Sequence, residues 1–401
     1  MKPKAAFVQT QEKILSVESI RGVACFMVLL SHLSLTFFPH LHAFTGTADP
    51  SINGIQALIH NSPFGFLFSG TSAVFIFFVL SGFILTKVAL KEGNLPIKIF
   101  SMSIKRYPRL MIPALASSLI AYVCFFTFDI ANPVLSDWIN DYGSDQNYTL
   151  AGAIYSGMID VFFLSGQSSY NPVLWTMKIE LFGSFVVYLL CLNRMIFKIS
   201  FLVGVVFVLT AIFTISKNIN PDLGLGLSSF YGGYLFSIYG KKIPNKLALI
   251  MILFGLYLAG AHNTSFSYSF IHTLLGNSTY KLCNFISGFF IVYAIIFNDK
   301  FNFIFSGKIP IFMGKVSFSV YLIHMPILST LGVFLFSAFF HSTGMYSFSA
   351  ILSSILTIIA VYASSMVFYK YVDLNGMTFS NWFARHIISQ LKIFNKSKHA
   401  E

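Results

Sequence analysis

The chain has 401 residues, of which 56% are hydrophobic and only 10% charged, against about 25% charged in an ordinary soluble domain. Mean hydropathy is +0.74, which excludes a disordered chain, a disulfide scaffold and a soluble enzyme. Lys and Arg outnumber Asp and Glu by 26 to 14. In a soluble protein that surplus would point to nucleic acid; in a membrane protein the question is where along the chain the positive charges sit.

Met1–Lys13 is basic, and an apolar run from Gly22 to Phe38 follows with no small-x-small cleavage site. It reads as a retained first span rather than a signal peptide. At about 20 apolar residues per crossing, ten spans are expected, near residues 20–38, 66–86, 108–128, 173–192, 197–216, 223–240, 246–261, 282–298, 316–340 and 347–369. The segment 150–165 is apolar but short and interrupted by Asp160, and is expected as a re-entrant or interfacial piece on the outside. With a cytoplasmic N-terminus, 23 of the 26 Lys and Arg fall on inner segments, and the outer loop 129–172 holds five aspartates and no Lys or Arg. Positive charge gathers on the cytoplasmic side of membrane proteins. The expected fold is therefore all-α: a polytopic integral membrane bundle of about ten helices with both termini cytoplasmic. Residues 1–370 form the transmembrane domain, and 371–401 a short basic tail drawn to the anionic inner leaflet.

Ionisable side chains inside spans are costly and are functional candidates. In span 20–38, Arg21 and His32 are eleven residues apart, close to three helical turns or about 16 Å. His32 falls about 18 Å above the inner edge. An imidazole there is either a hydrogen-bonded structural group or a general base. Glu180, in span 173–192, falls about 10 Å from the outer edge, a depth close to that of His32. A His32–Glu180 pair is one reading; pairing of Glu180 with Lys178 or another helix is the other. Arg106 and Arg109 stand at the inner mouth of span 108–128, either as topology anchors or as an anion clamp, since guanidinium forks bind phosphate well. Ser81-Gly82 removes bulk where another helix or a ligand could approach. Ser317, Tyr321 and His324 share one helical face, ahead of Pro326. Cys25, Cys124, Cys191 and Cys283 lie in apolar stretches and read as small buried hydrophobes. No CxxC or HExxH occurs, so no metal site is expected. No Walker motif or G-x-G-x-x-G supports ATP-driven transport or a dinucleotide fold.

Taken in order, these motifs resemble the membrane-bound acyltransferase-3 family over Ser19 to about Asp373. The resemblance rests on Ser19-Ile20-Arg21-Gly22 with the spacing from Arg21 to His32, and on Phe77-Phe78-Val79-Leu80-Ser81-Gly82-Phe83. It rests further on the pair Arg106 and Arg109, on Leu174-Trp175-Thr176 with Glu180, and on Val316-Ser317-Phe318-Ser319-Val320-Tyr321-Leu322-Ile323-His324. The acidic-Pro pair common after the family's last span is missing at Asp373-Leu374. The resemblance implies an O-acetyltransferase of the bacterial inner membrane, multi-pass and without the fused SGNH domain of many relatives. Acetyl-CoA is implied as co-substrate, with no permanently bound cofactor, and a cell-envelope glycan or lipid-linked saccharide as acceptor. His32 with Glu180 would carry the chemistry. Arg21, Arg106, Arg109, Ser81 and Gly82 would hold the CoA arm, and Trp175, Tyr321 and His324 are further candidates. The bilayer is the expected partner, nucleic acid is not, and the sequence leaves the oligomeric state open. A rival reading, a proton-coupled transporter or flippase of lipid-linked saccharides, would use His32, Glu180 and His324 as a proton relay.

Overall fold

The apolar runs read from the sequence form helices throughout, because a chain in lipid must satisfy its backbone groups internally. The computed structural model describes residues 3–42, 54–128, 132–142, 148–196 and 221–397, and among them there is no strand. The main elements are α1 (Pro3–Phe37), α2 (Gly70–Ala89), α3 (Leu95–Thr127), α4 (Trp175–Ile196), α5 (Pro221–Tyr239) and α6 (Asn245–Ala259). They are followed by α7 (Thr279–Ile296), α8 (Lys308–Ile327), α9 (Val333–Thr343), α10 (Tyr346–Phe368) and α11 (Leu374–Ser397). Side-chain oxygens of Ser69 and Asn94 start two of them, α2 and α3. Asn94 accepts from the Ile97 amide at 3.2 Å ahead of α3, satisfying a donor that has no partner within the helix.

Seven helices among the described residues are long and apolar enough to cross a membrane. They cover seven of the ten expected spans. Two others exist as helices: α5, rich in Gly, Ser and Tyr, and α6, which is only 15 residues long. The expected span 197–216 lies outside the described residues. The piece expected as re-entrant is a short helix, Leu150–Tyr155, a π turn, Ser156–Asp160, and a last helical stretch, Val161–Phe163, which pack against α3 and α4. The four cysteines are free, and all but Cys124 are fully buried.

Glycines set the two closest helix crossings. A Cβ on Gly82 would collide with the Phe230 carbonyl oxygen, and one on Gly233 with that of Val79. Only bare backbone lets α2 and α5 approach so closely. Likewise a Cβ on Gly22 would lie 2.5 Å from the Gly314 nitrogen, so α1 and α8 touch there. The two helices then stay in step. The Cys25 thiol donates to the Ser317 carbonyl at 3.1 Å, and His32 meets His324, both pairs being 292 residues apart in the chain. Gly22 and Gly314 share that separation, so α1 and α8 run parallel.

The expected domain boundary at residue 370 falls within a continuous helix: α10 passes through a π turn, Tyr369–Asp373, into α11, and α11 packs along α3. Beyond α1, a histidine cluster ties loops together. His42 Nε2 lies 2.7 Å from Ser34 Oγ. His60 Nδ1 donates to the Leu41 carbonyl at 3.2 Å, and its Nε2 accepts from Thr264 Oγ1 at 3.1 Å. The His262 ring stands 5.7 Å from that of His42 and 5.4 Å from that of His60. Burial, then the charge of neighbouring His60, pushes the His42 imidazole down to about 3. Burial likewise holds His262 well below the usual imidazole range and lowers His60.

Candidate functional site

Arg21, Ser81, Arg106, Arg109, Thr176, Glu180, Ser317 and Tyr321 line one cleft between α1, α2, α3, α4 and α8, with Phe77, Phe78 and Phe318 on its apolar wall. Its volume is about 920 Å³, counted to the open mouth. Three of the four charged side chains on this wall are cationic, so five predicted motif groups meet in one place.

The cations are anchored unequally. Arg106 Nη2 donates to Glu180 Oε2 at 2.5 Å, and Ser81 Oγ donates to Glu180 Oε1 at 3.0 Å. With side chains 16% and 15% exposed, the Arg106–Glu180 pair is shielded from water, where losing one partner strands the other charge. Arg109 pairs with Asp373 and stacks over Phe318, 5.6 Å from the ring centroid. Arg21 has only a loose pair with Glu18 at 3.7 Å, both about a third exposed, a geometry worth little. Arg21 is therefore the least constrained of the three.

Glu180 is thus committed to Arg106 and Ser81, and the His32–Glu180 pair expected from depth does not form. Depth misleads here because α3 begins at Leu95, not near residue 108. Arg106 is carried a full three turns into the helix and reaches the level of Glu180. The alternative reading, Glu180 paired with another helix, is the one that forms, through Arg106 of α3, while Lys178 donates to the Leu164 carbonyl at 2.7 Å. Gly82 also departs from expectation. Its bare face is filled by the Phe230 backbone, so only Ser81 of that pair reaches the cleft.

His32 pairs with His324: Nδ1 of His32 lies 2.7 Å from Nε2 of His324. The two rings lie nearly coplanar, 9° apart with centroids 5.0 Å apart, edge to edge along that hydrogen bond, and Trp138 stacks on His32 at 5.3 Å. The protons can be placed by elimination. His324 Nδ1 is 3.0 Å from the Val320 carbonyl, which can only accept, so Nδ1 carries the hydrogen. In the neutral ring Nε2 is then an acceptor, and His32 Nδ1–H must donate to it. That leaves His32 Nε2 as an unprotonated lone pair. His324 is 1% exposed, while His32 keeps part of its surface open. Tyr321 lines the cleft and stands beside His324, so it connects the cleft wall to this pair. Its hydroxyl donates to the Val173 carbonyl at 2.9 Å and lies 3.1 Å from Thr176 Oγ1, and its ring is 6.0 Å from that of His324. Trp175 faces Phe78, 6.3 Å between ring centroids, and borders a second, polar hollow with Gln167, Lys178 and Asp222.

Sequence reasoning misses two contributors, Trp138 and Asp373. Trp138 sits in the acidic segment 129–172, in a stretch that carries no motif. Asp373 stands where the expected Pro is lacking, and its acidic character alone is the signal.

Fold and site together define a polytopic helical membrane protein with an open-mouthed, predominantly cationic cleft. The chain belongs to the acyltransferase-3 family, whose Acyltransferase domain matches residues 14–370. It is on that ground a membrane acyltransferase. No match was found among curated proteins or among solved structures.

Proposed function

We propose that the protein is an O-acetyltransferase of the bacterial inner membrane, moving acetyl from acetyl-CoA to a hydroxyl of a cell-envelope saccharide. The observation that carries this reading is the His32–His324 pair, whose hydrogen bonds leave His32 Nε2 free to take a proton. The donor enters the cleft from the cytoplasmic side, its phosphates drawn to Arg21, Arg106 and Arg109 and its thioester arm running along Phe77, Ser81 and Phe318. The acceptor hydroxyl gives its proton to His32 Nε2 as its oxygen attacks the thioester carbonyl. The tetrahedral intermediate expels the CoA thiolate, which recovers the proton from imidazolium, leaving free thiol and ester. His324 Nε2 accepts from His32 Nδ1–H throughout and fixes the ring, the place a carboxylate holds in a hydrolase triad. The stacked Trp138 face favours the imidazolium by cation–π attraction.

Glu180 takes a different part from the one its sequence position suggests: it holds Arg106 in the wall. Family membership favours this reading over a proton-coupled transporter. The test is acetyl incorporation into envelope glycan, measured by mass spectrometry, in cells carrying His32→Ala at normal protein level. Transfer should be lost, and undiminished transfer would overturn the assignment. Arg21→Ala should raise the apparent KM for acetyl-CoA, and an unchanged KM would remove that arginine from the donor site.

A further inference from the structure

Pro326 lies inside α8, two residues after His324. Proline has no N–H, so the carbonyl four residues earlier loses its helical partner. That carbonyl belongs to Leu322, and it is buried; an unmatched buried acceptor is costly. Asn171, just ahead of the 3-10 turn Pro172–Leu174 that leads into α4 and fully buried, supplies the missing donor: its Nδ2 lies 2.7 Å from the Leu322 oxygen. The amide orientation follows from chemistry, because a carbonyl only accepts. The second Nδ2 hydrogen points at Ser117 Oγ, 3.3 Å away, whose own hydrogen goes to the Ala114 carbonyl at 2.8 Å. Asn171 Oδ1 is buried with no hydrogen-bond partner, so the residue works through its donors alone.

We propose that Asn171 is a positioning residue for the histidine pair. It replaces the amide that Pro326 cannot offer, and so fixes the turn of α8 that carries His324 against α3 and the start of α4. The proposal rests on the acyl-transfer reading for its kinetic consequence, but the hydrogen bond itself does not. Asn171 touches no part of the cleft, so its loss misplaces His324, and through it His32, without altering donor binding.

The experiment is a double-mutant cycle between Asn171 and Pro326, read in two ways. In membrane vesicles holding the protein and native glycan, with labelled acetyl-CoA as probe, Asn171→Ala should lower turnover at least about tenfold with the KM for acetyl-CoA unchanged. Pro326→Ala alone should stay within about twofold, since the substitution restores a helical N–H to the Leu322 carbonyl. The combined N171A/P326A protein should recover most of the lost turnover. Asn171→Asp, which keeps the shape but loses the donor, should be as slow as N171A. In detergent, N171A should lower the thermal midpoint by about 2–4 °C in the otherwise native chain and much less in the P326A background.

A double variant as slow as N171A, a P326A as slow as N171A, or a fully active N171D would each overturn the proposal. If wild-type vesicles transfer no acetyl at all, the acyl-transfer reading fails, while the thermal cycle still reports whether the bond exists.

Discussion

At the residue scale, the proposed reaction depends on one imidazole being told which nitrogen to protonate. His324→Ala removes the acceptor that holds the hydrogen on His32 Nδ1, and the ring is then free to present either nitrogen to the acceptor. Turnover should fall about 100-fold with little change in protein level, which a vesicle transfer assay checks. The Arg106–Glu180 pair makes a stability prediction of a different kind. Glu180→Ala should destabilise by about 3 kcal/mol, because Arg106 would stay shielded without a counter-charge. Arg106→Leu combined with Glu180→Leu should recover much of that loss in denaturant or thermal unfolding. The residues themselves, His32, Glu180, the arginines and Tyr321, are legible in the sequence as costly polar groups in apolar runs. Their partners are not. Depth along a helix is a one-dimensional quantity, and it places Glu180 level with His32 while saying nothing of the direction each faces.

At the element scale, helix length governs what depth means. α3 has 33 residues, or about 50 Å of helix against about 30 Å of hydrocarbon, so counting from an assumed start misplaces Arg106. Caps give the correction: Asn94 marks the true beginning and is readable as an N-cap ahead of Pro96. The histidine cluster at the C-terminal end of α1 makes an element-level prediction about pH. These rings stay neutral in the fold, whereas the unfolded chain binds protons near the ordinary imidazole value of 6.5. Stability is therefore full above about 6.5 and falls as the pH drops toward 3, since the unfolded state then holds more protons. The thermal midpoint in detergent should fall between pH 7.5 and pH 5, and His42→Gln should flatten that slope. A midpoint independent of pH would mean that these rings are solvated.

At the scale of the whole molecule, composition and the positive-inside pattern suffice for a helical membrane bundle, because burying unpaired backbone in lipid leaves few alternatives. They cannot supply the neighbours of each helix. Those are set by glycine crossings such as Gly82 with Phe230 and Gly233 with Val79, which look in sequence like any other small residue. Gly233→Leu should accordingly lower folded yield far more than Gly54→Leu, where a side chain would meet open space.

The parallel pairing of α1 with α8 has a mechanical consequence. The proposed chemistry sits where two helices happen to be in phase, not on a loop that could adjust. Inserting one alanine between Cys25 and His32 would turn His32 by about 100° and raise it about 1.5 Å, breaking the imidazole contact while leaving composition and topology intact. A matching insertion between Ser317 and His324 would turn the second ring as well and need not bring it back, because both would leave the shared seam. A full heptad added to each helix returns both rings to within about 20° of the original bearing. The two helices thus act like meshed gears, and the proton-accepting role proposed for His32 depends on a count of residues from one glycine contact.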